Sequence, residues 1–171
     1  MKLILFIFLL LQVVPCYPQD SSEKFKLGKV KGEDIMVRTK PKGKYLGVLP
    51  DKLVVKILSK SDNQQEIDGE NHYWYEVQFG GLQGWSYGKF IEIPKDQKSL
   101  KIDESNTLLH IYTKNDKINI VKDLVKNRGF SPKTKNGEGK SSLEISKSKK
   151  QKKIIKFFED FISKSIIPSH M

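Results

Sequence analysis

Hydrophobic positions fall into three regimes along the chain. Leu3 to Val14 is almost unbroken apolar sequence, interrupted only by Gln12. From Phe25 to Ile93 apolar residues come in short runs, often at alternate positions, with Gly, Pro and Asp between them. Beyond Pro94 the spacing stretches towards the helical period. Asp34 to Arg38 is one short run, followed by Pro41 and Gly43, and Lys44 to Leu49 is another, closed by Pro50-Asp51. Leu53, Val55 and Ile57 alternate with Val54, Lys56 and Leu58, as in a strand with one strongly buried face. Ser59 to Gly69 is polar and contains Asp68-Gly69, which predicts a loop or wide hairpin. His72 to Phe79 puts Tyr73, Tyr75, Val77 and Phe79 on one face and His72, Trp74, Glu76 and Gln78 on the other. Gly80-Gly81 is a hairpin turn signal, and runs at Gln83–Tyr87 and Lys89–Ile93 complete a pattern expected of a small barrel or sandwich.

The second half reads differently. Leu100 to Tyr112 suits either a strand or the start of a helix. Asn115 or Asp116 is placed to cap a helix from about Lys117, with Ile118, Val121, Leu124 and Val125 on one face and Gly129 as a stop. Residues 131–142, with Pro132, Gly137 and Gly139, have no periodicity and predict a mobile loop. From Ile154, helical spacing gathers Ile155, Phe157, Phe158, Phe161, Ile162 and Ile166 on one side, with Lys156, Glu159, Asp160, Ser163 and Lys164 on the other, until Pro168. The expected fold class is α+β: a mainly β half at 24–93, then a basic, mostly helical region at 94–171.

The β half also resembles a family. Ile35-Met-Val-Arg38 with Pro41 is similar to the opening "x-N-V-R-x-x-P" of bacterial SH3-like (SH3b) domains. Tyr45-Leu-Gly-Val-Leu-Pro50 resembles the following "x-V-I-G-x-L" segment, and Lys52 to Leu58 the next strand. Trp74-Tyr-Glu-Val77 resembles "W-Y-K-V", and Gly84-Trp85 with Phe90 resembles "G-W-V-x-x-x-Y/F-L". Met36 stands where the family has Asn, Thr39-Lys40 replaces a small Ser-Gly pair, and the loop before Tyr73 is long. The resemblance covers about residues 24–93 and implies a compact barrel of five or six strands. Such modules bind cell-wall peptidoglycan, peptides or other envelope partners and carry out no chemistry. Val37, Leu46, Val55, Ile57, Tyr75, Val77 and Trp85 are the core positions expected of it.

The opening segment sets the expected compartment. Met1-Lys2 and an apolar run of about 12 residues have the layout of a secretory signal peptide over residues 1–16, too short to cross a bilayer, which takes ~20. Cleavage after Cys16 gives plain secretion, whereas lipidation of Cys16 gives a lipoprotein; Pro15 suits the second poorly. Both place the chain in the periplasm, at the cell surface or outside the cell. Cys16 is the only cysteine, which leaves neither an intrachain disulfide nor a thiol nucleophile. The net charge of +11 is unevenly placed: 13 Lys and Arg against 11 Asp and Glu up to Ile93, and 18 against 9 from Pro94. A cationic half outside the cytoplasm meets anionic lipid, envelope phosphate or acidic glycan first.

Tyr45, Tyr73, Trp74 and Tyr87 exceed what a small barrel interior can hide, and the pleat puts Trp74 opposite Tyr75 and Val77. They are the candidate ligand-binding residues, on a shallow aromatic groove; the alternative is that Trp74 lies under Ser59–Gly69 or the C-terminal segment. The basic run Lys147, Lys149, Lys150, Lys152 and Lys153 before an amphipathic helix is the candidate polyanion or membrane contact. Glu159 and Asp160 on the polar face favour a helix docked on protein instead. His72, His110 and His170 stand in no metal-ligand spacing, so neither metal nor cofactor is expected. Pairing His110 with Asp103 or Glu104 as base and orienter lacks a nucleophile. No nucleic-acid partner is expected, because the leader argues against one and the lysines are not interleaved with aromatics. The function expected is an exported, non-enzymatic module that recognises an envelope ligand. Its alternative is a surface-attached structural or adhesion protein using its cationic helical half on anionic lipid or polyanion.

Overall fold

The computed structural model describes residues 25–166, so the leader, Cys16 and His170 lie outside the described residues. Nine strands lead: β1 (Lys26–Val30), β2 (Ile35–Arg38), β3 (Tyr45–Leu49), β4 (Val54–Lys60), β5 (Gln65–Ile67), β6 (Glu70–His72), β7 (Trp74–Phe79), β8 (Leu82–Tyr87) and β9 (Ile91–Glu92). Four helices follow: α1 (Leu108–Lys114), α2 (Ile118–Arg128), α3 (Ser142–Ser148) and α4 (Lys152–Ile166). The fold class is α+β, as the sequence pattern predicts.

Seven strands form one antiparallel sheet in the order β3-β2-β8-β7-β4-β1-β9, and β5 and β6 form a separate hairpin. The ladder does not close, which corrects the expectation of a closed barrel. Strand β9 is two residues long, and β2 meets β8 at the single pair Arg38↔Trp85. At the start of β3, on the free edge of the sheet, the Arg128 guanidinium of α2 donates to the Tyr45 carbonyl at 3.3 Å.

Val37, Val55, Ile57 and Val77 are buried as expected, while Leu46 and Tyr75 pack against the core from its rim. Trp85 is a correction. Strand β8 turns Leu82, Gly84 and Ser86 inward, and Trp85 faces the other way beside Glu76 and Arg38. Its inward neighbour Gly84 lies opposite Val77, where a Cβ would stand 2.6 Å from the Arg38 carbonyl oxygen. The strand crossing therefore admits no side chain there.

The helical half shares its apolar core with this sheet. Buried apolar residues of both halves, from Val30 and Val77 to Leu108, Tyr112, Leu124 and Phe158, form one cluster. The β7–β8 turn is where they join. Gly80 and Gly81 both take positive φ, and a Cβ on Gly80 would meet the backbone of Thr107 and Leu108 at 3.1–3.2 Å. A tight hairpin turn and a close backbone approach thus demand glycine at the same position.

The helices are two copies of one unit. Thr107-Leu-Leu-His-Ile111 heads α1 and Ser141-Ser-Leu-Glu-Ile145 heads α3, 34 positions later. Asp116 and Lys150, at the same offset, both adopt positive φ in the turn between the helices of each pair. Leu124 and Phe158, again equivalent, are both fully buried. Asn115 therefore ends α1, and Lys117, rather than Asn115 or Asp116, stands at the N-cap of α2. The predicted mobile loop at 131–142 is a structured link. Lys135 and Ser141 form a β-bridge, and buried Asn136 accepts from the backbone N–H groups of Glu138 and Lys140. Its last residues open α3, which the sequence reading does not anticipate.

Candidate binding site

The four candidate aromatics do not share a surface. Trp74 is 2% exposed, because β5–β6 folds over the face that alternation alone assigns to solvent. Its indole N–H donates to Gln65 Oε1 at 3.1 Å, and its ring lies 5.4 Å from that of Tyr87. Tyr87 is also buried, and its hydroxyl donates to the carbonyls of Gln65, at 2.9 Å, and Glu70. The long Ser59–Gly69 segment is thus the cover for Trp74, and the open-groove reading of Trp74 and Tyr87 is corrected. Tyr73 is half-buried under the Lys60 ammonium, 4.0 Å from its centroid. Tyr45, 40% exposed, sits at the far edge, 5.2 Å from the Arg128 guanidinium. Burial raises the pKa of its phenol, the Asp123 carboxylate adds to the rise, and Arg128 opposes it.

What Trp74 and Tyr87 do form is the floor of a cleft of about 230 Å³. Ile35, Met36, Ile67 and Phe90 make its apolar walls, and Asp34 and Arg38 stand at its rim. Met36 is 53% exposed, since β2 turns Ile35 and Val37 inward and Met36 out. Arg38 is held by donating to the Gly43 carbonyl at 2.9 Å, and its other terminal nitrogen lies 3.3 Å from Met36 Sδ. Pockets for whole small molecules span roughly 300–1,000 Å³, so this cleft suits one apolar side chain of a larger ligand. Its walls escape the sequence reading. The available signal is Met36 itself, an apolar residue at the outward position of a short strand.

His110 has both ring nitrogens engaged. Nδ1 accepts from the Thr107 N–H at 3.1 Å and from its hydroxyl at 2.8 Å, so Nε2 carries the proton and donates to the Thr134 carbonyl at 3.0 Å. Burial lowers its pKa; the Thr134 carbonyl opposes this and the Lys114 ammonium adds to it. Asp103 accepts from Ser105 and Asn106, and those hydrogen bonds lower its pKa. Glu104 pairs with Lys56 at 2.8 Å. Neither acid reaches His110, so the base-and-orienter pairing is corrected. Among the described residues no three His, Cys, Asp or Glu side chains group as metal ligands.

The basic run is spread over several elements. Lys147 pairs with Glu159 at 2.8 Å, Lys149 and Lys150 occupy the α3–α4 turn, and Lys152 and Lys153 open α4. Helix α4 buries Ile154 and Phe158 completely against its neighbours, which is the docked arrangement. No described helix is long and apolar enough to cross a membrane. Comparison with protein-family models, with curated proteins and with solved structures gives no match to this chain.

Proposed function

We propose that the chain is an exported, non-enzymatic binding module of the bacterial SH3-like kind, and that its receiving site is the cleft between β2 and the β5–β6 hairpin. The observation that carries this reading is an apolar cavity with an aromatic floor, a protruding methionine and a charged rim. Methionine fills irregular contacts and adapts to its partner, which suits recognition of a peptide or protein side chain. The rim pair Asp34 and Arg38 offers an acceptor and a donor to a passing backbone. The leader-like first 16 residues support an envelope ligand.

The helical half supports a binding role too. A 34-residue period, a turn, two helices and, in the first unit only, a T-x-L-H opening resemble the ankyrin class of repeat, whose stacked units offer extended surfaces to partners.

The test is retention of the protein on isolated cell-wall sacculi and on immobilised envelope extract. Met36→Ala should abolish most retention and leave the melting temperature unchanged, because the side chain is exposed. Leu58→Ala, exposed on β4 away from the cleft, is the control and should retain fully. Unchanged retention by Met36→Ala would refute the assignment of the cleft.

A further inference from the structure

A second concavity lies in the helical half, between α2 and α4, with a volume of about 590 Å³. Lys122 and Lys126 of α2 line one side, and Lys153, Lys156 and Lys164 of α4 the other. Asp160 is the only acid in the lining. None of the five lysines forms an ion pair with a described residue, whereas Lys117, Lys140 and Lys147 elsewhere in this half each hold a glutamate. The floor is apolar: Ile118, Phe157 and Phe161, with the Lys126 ammonium 5.8 Å from the Phe157 ring. Surfaces built only for solubility intersperse the two signs. Here five positive groups surround one negative group over aromatic rings.

We infer that this groove is a docking site for an acidic amphipathic helix of a partner protein, whose carboxylates meet the lysine rims and whose apolar side chains meet Phe157 and Phe161. Charge complementarity names the sign of the partner. The shape names its class. The phenyl rings are less exposed than the lysines, and among the described residues the large apolar side chains that stand exposed, Phe25, Met36, Tyr45 and Leu58, all belong to the sheet half. Among the described residues a bilayer surface would find only recessed rings on this face, whereas a helix reaches the floor between the rims. From Lys153 to Lys164 the α4 rim extends about 16 Å, room for roughly three turns of a partner helix. This is the helix-in-groove mode of recognition. The site is separate from the cleft beside β2, and its success or failure is independent of that assignment.

The test is fluorescence anisotropy of the full chain with a labelled, end-blocked helical peptide of about 14 residues. The peptide carries two leucines four positions apart, flanked by glutamates. The variant Lys122→Gln, Lys126→Gln, Lys156→Gln, Lys164→Gln should bind about ten-fold more weakly, at roughly a factor of two per exposed pair. The corresponding Lys→Arg variant should keep the affinity. A control that loses the same charge at exposed Lys40, Lys44, Lys98 and Lys133 should stay within about two-fold. Replacing both peptide leucines by serine should weaken binding. Equal loss in the control, undiminished binding of the serine peptide, or no peptide binding would each overturn the proposal. Binding only to vesicles of phosphatidylglycerol would overturn it in favour of a lipid surface.

Discussion

Replacing His110 by leucine isolates a hydrogen-bond network that ties the two helix pairs together. The imidazole accepts from the N–H and hydroxyl of Thr107 at the head of α1 and donates to Thr134 in the link to α3. Leucine fills most of the volume but offers no polar atom. It leaves the Thr107 N–H without its acceptor, which costs roughly 1–3 kcal/mol, and forfeits a further bond worth about 1 kcal/mol. A loss of about 2–4 kcal/mol follows near pH 8, equivalent to roughly 5–15 °C in melting temperature for a chain of this size. The pH dependence separates this account from a simple packing defect. His110 is neutral when folded, with its pKa held below the ordinary value, whereas in the unfolded chain it protonates near about 6.5. Between those two values the unfolded state binds the extra proton. Stability from this group is therefore complete above about pH 6.5, declines as pH falls from there to the folded value, by at most about 1.4 kcal/mol per pH unit, and levels off below it. The leucine variant lacks that decline. Urea titrations of both proteins between about pH 8 and about pH 5 should show the gap between them narrowing. A gap that stays constant, or a cost near zero at about pH 8, would refute the neutral, doubly bonded imidazole.

Two further outcomes follow from the packing. Phe158→Ala should cost about 3–5 kcal/mol, since the ring is fully buried among the helices. Because both halves share one core, tryptophan fluorescence, reporting the sheet, and far-ultraviolet circular dichroism, reporting the helices, should shift to the same lower midpoint; separate transitions would contradict a shared core. Ser141→Ala removes the hydroxyl that accepts the Glu144 N–H at 3.2 Å, and chemical denaturation should register a loss of about 1 kcal/mol; no change would mean that α3 is capped by other groups.

The two proposed surfaces place the polar and apolar chemistry of the chain in different halves. The cleft beside β2 is small, mainly apolar and rimmed by one acid and one base. The groove between α2 and α4 is larger, open and ringed by lysines with no ion-pair partner among the described residues. Salt distinguishes them. Raising ionic strength from about 0.01 M to about 1 M shortens the screening length from about 30 Å to about 3 Å, which should weaken the groove far more than the cleft.

Local pattern alone determined the α+β class, strands β2, β3, β4, β7 and β8, and helix α4. Their faces repeat every two or every 3.6 residues, and burial within one element follows that period. The sequence also marked the Gly80-Gly81 turn, where a backbone requirement coincides with a residue type. It did not reveal α3 or the 34-residue repeat, because Thr107-Leu-Leu-His-Ile111 and Ser141-Ser-Leu-Glu-Ile145 share only their Leu and Ile. Periodicity identifies a face but not what covers it. Only the tertiary structure decided that Trp74 lies beneath the β5–β6 hairpin, that Arg128 of α2 meets Tyr45 of β3, and that lysines of two separate helices converge on one groove. Each of these depends on the path of the chain between distant elements, and no local spacing of residues encodes that path.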